Sequence, residues 1–70
     1  MGDRNPRRSP IAGDILRKDD ESLDVLAVDQ ETVSVVVRTD QGDRRSAKMP
    51  LDQFRRGTRR AKVLAMGVPR

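Results

Sequence analysis

The chain has no cysteine, no histidine, no tryptophan and no tyrosine, and its single aromatic residue is Phe54. Each absence removes a class of chemistry. Without cysteine no disulfide staples a chain of 70 residues, and without cysteine and histidine no thiolate–imidazole zinc site can form. The commonest general base is missing, and Ser9, Ser22, Ser34 and Ser46 have no activating base near them in sequence, so a nucleophilic triad in its usual forms is excluded. Lys18, Lys48 and Lys62 sit among charged neighbours rather than in the apolar surroundings that activate an amine. The reading is a protein that is not an enzyme and needs neither cofactor nor metal.

Long apolar runs are also missing, since no stretch approaches the roughly 18 residues of a membrane span. Met1-Gly2-Asp3-Arg4 does not read as a secretory signal, and Pro6 stands where a myristoylation motif carries Ser or Thr. The expectation is a cytoplasmic protein with no membrane partner, which the absence of cysteine fits. A chain this short buries only about 60% of its unfolded surface, and one small core supplies roughly 3–5 kcal/mol. Self-association into a homodimer is therefore one expected source of extra stability.

What the chain does have is charge, unevenly placed. All eleven Asp and Glu lie between Asp3 and Asp52 and face nine Lys and Arg there, a balance of −2; residues 53–70 carry Arg55, Arg56, Arg59, Arg60, Lys62 and Arg70 with no acid, a balance of +6, and the two sum to +4. Local positive charge reports on partners more than on fold.

The apolar pattern is that of a small β protein. Residues 1–12 read as a disordered basic tail, with two prolines, three arginines and nothing strongly apolar after Met1 until Ile11. Residues 13–66 read as the folded domain and residues 67–70 as a C-terminal tail. Ile15 to Lys18 is a short strand closed by the polar turn Asp19-Asp20-Glu21-Ser22. Leu23 to Val28 follows, with Leu23, Val25 and Ala27 alternating against Asp24, Leu26 and Val28. Thr32 to Thr39 is the clearest strand, because Val33, Val35 and Val37 share one face and β-branched residues suit a pleated surface better than a helix. Asp40-Gln41-Gly42-Asp43 supplies a turn in which Gly42 is free to take positive φ. Arg44 to Met49 returns as a strand with Ala47 and Met49 inward, and Pro50 ends it.

Leu51-Asp52-Gln53-Phe54 reads as one helical turn that presses Leu51 and Phe54 onto the same surface, broken by Gly57 and Thr58. Arg60 to Met66 then forms a last strand. A second pattern coexists there: Leu51, Phe54, Ala61, Leu64, Ala65 and Val68 also fit one face of a longer helix, against which Gly57 costs about 0.8–1 kcal/mol relative to Ala.

Gly13-Asp14-Ile15 opening a strand, the meander through Leu23–Val28 and Val33–Val37, Gly42, and Pro50-Leu51-Asp52-Gln53-Phe54 before a closing strand together resemble a small SH3-like barrel over residues 13–66. The resemblance implies a mainly β fold, a five-stranded SH3-like barrel with one short helical turn before the last strand. The shape is KOW-like and Tudor-like without the diagnostic residues of either family. Asp29-Gln30-Glu31 stands where a KOW motif would add glycine, and a lone Phe54 cannot form the aromatic cage of Tudor-type readers or the groove of SH3 peptide recognition.

The acids Asp19, Asp20, Glu21 and Asp24 offer oxygens to a hard cation, but they lack EF-hand spacing and its glycine, and are read as a solvated turn blunting a sheet edge. The basic set carries the functional expectation. Arg55-Arg56-Gly57-Thr58-Arg59-Arg60 sets two arginine pairs around a flexible joint, and arginine's donor fork matches phosphate oxygens. Lys62 continues the set, Arg44, Arg45 and Lys48 extend it if they turn outward, and Arg4, Arg7 and Arg8 supply a mobile arm. With nothing for bases to stack on, contacts fall mainly on phosphates, and double-stranded or structured nucleic acid suits the chain better than single strands. A rival reading treats the arginines as a solvated face and assigns a protein partner or second copy to Leu26, Val28, Val36 and Leu64, which a lone barrel would leave wet.

Overall fold

A computed structural model describes residues 5–68. Its elements are β1 (Ile15–Lys18), β2 (Glu21–Val28), β3 (Thr32–Thr39), β4 (Arg44–Pro50), α1 (Leu51–Gly57) and β5 (Lys62–Ala65). The five strands form a single antiparallel sheet in the order β4-β3-β2-β1-β5. The fold is mainly β with one short helix, as the strand pattern implies. Among the described residues β4 and β5 are the two edges of that sheet and do not pair, so the barrel expected from the sequence is not closed by hydrogen bonds.

The core lies on one face. Leu16 from β1, Val25 from β2, Val33, Val35 and Val37 from β3, Phe54 from α1 and Ala61 are buried together, with Leu23, Ala47, Met49, Leu51 and Val63 packed against them. Val33, Val35 and Val37 take the shared face that their alternation requires. Phe54 is 1% exposed, so the helical turn after Pro50 serves to drive the one large ring into the sheet. That turn is longer than the sequence suggests. It continues through Arg55, Arg56 and Gly57, and Thr58 ends it with φ −107° and its N–H on the Phe54 carbonyl at 3.0 Å. The long-helix alternative is overturned: residues 62–65 pair with β1 as a strand.

Two register shifts interrupt the alternation of β2 and β5. Val25 pairs with Val35 but Ala27 pairs with Ser34, leaving Leu26 as an extra residue; Ile15 pairs with Ala65 and Leu16 with Val63, leaving Leu64 as another. A bulge reverses the parity beyond it. Ala27 consequently turns to an exposed position against the simple alternation, while Val28 comes opposite Val33 and is exposed as expected. The two bulge leucines are 54% and 50% exposed, whereas Val36, expected on a wet face, is only 5% exposed.

The turns follow local chemistry. Glu21 and Ser22 belong to β2 rather than to the turn, because they pair with Lys18 and Arg17. That leaves Asp19-Asp20 as a tight connection, in which Asp19 has φ 53°, a conformation short polar side chains tolerate. Gly42 takes φ 95° as expected, while the Thr39 carbonyl accepts its N–H at 3.0 Å.

Of residues 1–12, expected as a tail, residues 5–12 lie against the domain, and residues 1–4, including Arg4, lie outside the described residues. The Asn5 carbonyl accepts the N–H groups of Arg8 and Ser9 in one helical turn, with Pro6 at its first position. Pro6 and Pro10 are buried. The physical reason for the order is hydrogen bonding of a kind that composition does not reveal. Asp14, fully buried, accepts the Ile11 N–H at 2.8 Å and the Gly67 N–H at 2.7 Å, so one carboxylate holds the segments before β1 and after β5 together. The approach is close: a Cβ on Gly67 would sit 2.2 Å from the Ala12 carbonyl oxygen.

Candidate nucleic-acid interface

The arginines after Phe54 stand on the helix that Phe54 anchors. Burying the ring fixes one face of α1 inward and leaves Arg55 and Arg56 exposed in its last turn, where cations also complement the helix C-terminus. The chain then turns at Thr58, whose buried hydroxyl donates to the Phe54 carbonyl at 2.8 Å and approaches the Arg7 carbonyl at 3.3 Å. Arg59 and Arg60 follow on the exposed turn.

The N-terminal segment completes this surface. Arg55 Nε donates to the Arg8 carbonyl at 2.8 Å, and Arg7 Nη1 reaches the Ala61 carbonyl at 3.4 Å. Asn5 Oδ1 accepts the Arg7 N–H at 3.0 Å and holds Arg7 Nε at 3.4 Å. These contacts use backbone carbonyls and an amide, none of which neutralises a guanidinium. The outcome is a concavity of about 530 Å³ lined by Asn5, Arg7, Arg8, Arg55, Arg56 and Arg59. Among the described residues no carboxylate lines it. Among the described residues the one acid paired with a lining arginine is loosely held, with Arg55 Nη1 3.8 Å from Asp52 Oδ1 and the Asp52 side chain 77% exposed.

Of the residues singled out from sequence, the structure brings Arg55, Arg56 and Arg59 into this concavity. Arg60 and Lys62 are exposed but do not line it; they stand either side of Ala61, whose carbonyl Arg7 reaches, with Lys62 on β5 opposite Arg17. Arg44, Arg45 and Lys48 lie on β4, the far edge of the sheet from β5. Arg44 and Arg45 share a separate depression of about 300 Å³ with Glu21 and Asp43, so acids accompany them. Arg45 is opposite Val37 and turns toward the core side, while Arg44 and Lys48 lie opposite Arg38 and Ser34.

Arg7 and Arg8, expected on an N-terminal arm, line the concavity beside α1, and Asn5, which also lines it, was not expected there. The readable signal was Asn5-Pro6, a capping residue followed by the residue favoured at the first helical position.

Elsewhere two arginines pair with acids. Arg17 Nη2 donates to Asp40 at 2.7 and 3.0 Å, and this hydrogen bond, then the Coulombic attraction of the same carboxylate, raises the Arg17 pKa further. Arg38 pairs with Asp24. No three His, Cys, Asp or Glu residues among those described come together to hold a metal ion, and no helix there is long and apolar enough to cross a membrane.

No family model matches the chain, and comparison with curated proteins and with solved structures also finds no match.

Proposed function

We propose that the protein is a small, non-enzymatic binding module that contacts double-stranded or structured nucleic acid, mainly through phosphates. The observation that carries this reading is the concavity where Arg7, Arg8, Arg55, Arg56 and Arg59 converge without a lining acid among the described residues. Arg60 and Lys62 flank it, whereas Arg44, Arg45 and Lys48 are left outside the primary contact. The scaffold is read as SH3-like: the order β4-β3-β2-β1-β5 and the helix between β4 and β5 support that shape. With Phe54 buried, no aromatic ring among the described residues is offered to a base, which favours backbone contact over single-strand stacking.

Binding is expected to be micromolar, weakly sequence-selective and salt-sensitive. About five neutralised phosphates on duplex DNA give a slope of log affinity against log salt near −4 to −5. Fluorescence anisotropy with labelled duplex DNA and structured RNA across a salt series measures it. Changing Arg55, Arg56, Arg59 and Arg60 to Gln should remove most of the slope while the circular dichroism spectrum is kept. No binding at low salt to either nucleic acid would sink the proposal.

A second reading rests on a different surface. Leu26 and Leu64, exposed at bulges in the two strands that flank β1, are joined in exposure by Met66 at 50%, and suit a protein partner or a second copy. Light scattering coupled to size exclusion tests the second copy directly.

A further inference from the structure

We infer that the concavity between the N-terminal segment and α1 is a discrete site for consecutive phosphate groups, and that Arg7 and Arg8 are as much a part of it as the arginines of the helix. The inference rests on the phosphate-binding reading and narrows it from a basic surface to one place and one ligand chemistry. The concavity, at about 530 Å³, is half open to solvent and has room for a run of phosphate groups; its lining of five arginines, rather than its size, sets it apart from the other depressions of the surface.

Like charges crowd there for a structural reason. The segment is seated by Thr58 and Arg55 on the backbone carbonyls of Arg7 and Arg8, by Pro6 and Pro10, and by Asp14 on the Ile11 N–H. Those contacts carry the two guanidinium groups into a space already occupied by three others, and among the described residues no lining acid compensates them. Like charges held together oppose the docked state. An anion that binds only the docked state relieves the repulsion and stabilises the fold by mass action. A single phosphate meets few of five arginines, whereas consecutive phosphates meet most of them at once, and arginine's fork accepts phosphate oxygens in pairs. Such a run is supplied either by a free oligophosphate or by the backbone of a nucleic-acid strand.

The test uses the full chain and three probes at matched ionic strength: tripolyphosphate, inorganic phosphate, and labelled duplex DNA. Titration calorimetry and ¹⁵N spectra give affinity and location. Tripolyphosphate is expected to bind at least tenfold more tightly than phosphate, to displace the duplex, and to shift the amides of residues 7–9, 55, 56 and 59. R7Q/R8Q should weaken tripolyphosphate about tenfold, and R7K/R8K should recover part of that loss: both variants keep the Arg7 and Arg8 carbonyls that seat the segment and both lose the Arg7 guanidinium contact to the Ala61 carbonyl, so the difference between them reports charge. If the Gln and Lys pairs weaken binding equally while the amides of residues 7–9 shift away from their docked positions, the loss is one of docking and the assigned role of the two charges is wrong. Duplex binding that ignores both tripolyphosphate and R7Q/R8Q would overturn this inference and leave the nucleic-acid proposal standing. Tripolyphosphate binding at these residues without duplex binding would do the reverse, and binding of neither probe would overturn both.

Discussion

Two sets of arginines, one on β4 and within the sheet and one around α1, sit in opposite surroundings. On β4, Arg44 and Arg45 share their depression with Glu21 and Asp43, and within the sheet Arg38 has Asp24 and Arg17 has Asp40. Around α1, Arg7, Arg8, Arg55, Arg56 and Arg59 face one another. The residue type is the same and the net charge of the chain does not distinguish the two sets. What separates them is whether the fold delivers a carboxylate. Arginines beside a carboxylate have an anion within the molecule, whereas convergent ones without a lining acid leave charge directed at an anion from solvent. A basic composition therefore says less about a binding surface than the local balance created by packing.

Four perturbations break or sharpen that contrast, in descending order of effect. Phe54→Ala removes the ring that anchors α1 and should cost about 3–5 kcal/mol, comparable to the roughly 3–5 kcal/mol available to a core of this size. Thermal denaturation followed by circular dichroism should show a chain unfolded or nearly so, and both arginine sets lose their positions. Gly67→Ala drives a Cβ to 2.2 Å from the Ala12 carbonyl oxygen, a backbone atom that only a shift of the chain can move away. The expected loss is about 1–3 kcal/mol by chemical denaturation, with hydrogen exchange speeding first in residues 5–12. The triple change R55Q/R56Q/R59Q leaves the core untouched and should flatten the salt slope by about 3, at roughly 0.9 for each phosphate no longer neutralised. Arg38→Gln, at an ion pair with its arginine side chain 51% exposed, should alter stability by less than about 1 kcal/mol and leave the slope unchanged.

Much of this molecule was legible in its sequence. β1 and β3 begin and end where the polar turns and the valine alternation place them, and Gly42 takes its expected conformation. Leu51 and Phe54 do press a helical turn onto the sheet. The illegible parts share a cause. A bulge at Leu26 or Leu64 is a relation between two strands, invisible to the period of one. The docking of residues 5–12 depends on Asp14 and Thr58 meeting carbonyls and amides distant in sequence, which composition cannot register. The same holds for the site: the helical arginines announced themselves as a run, but their union with Arg7 and Arg8 is a tertiary contact.

The salt dependence of duplex binding by two matched triple variants, R55Q/R56Q/R59Q and R44Q/R45Q/K48Q, tests the central claim most directly, since each removes three positive charges. Convergent arginines without a lining acid predict that the first loses about 3 from the slope and the second less than about 1. Equal losses from both would mean that net charge, and not the concavity beside α1, holds the nucleic acid.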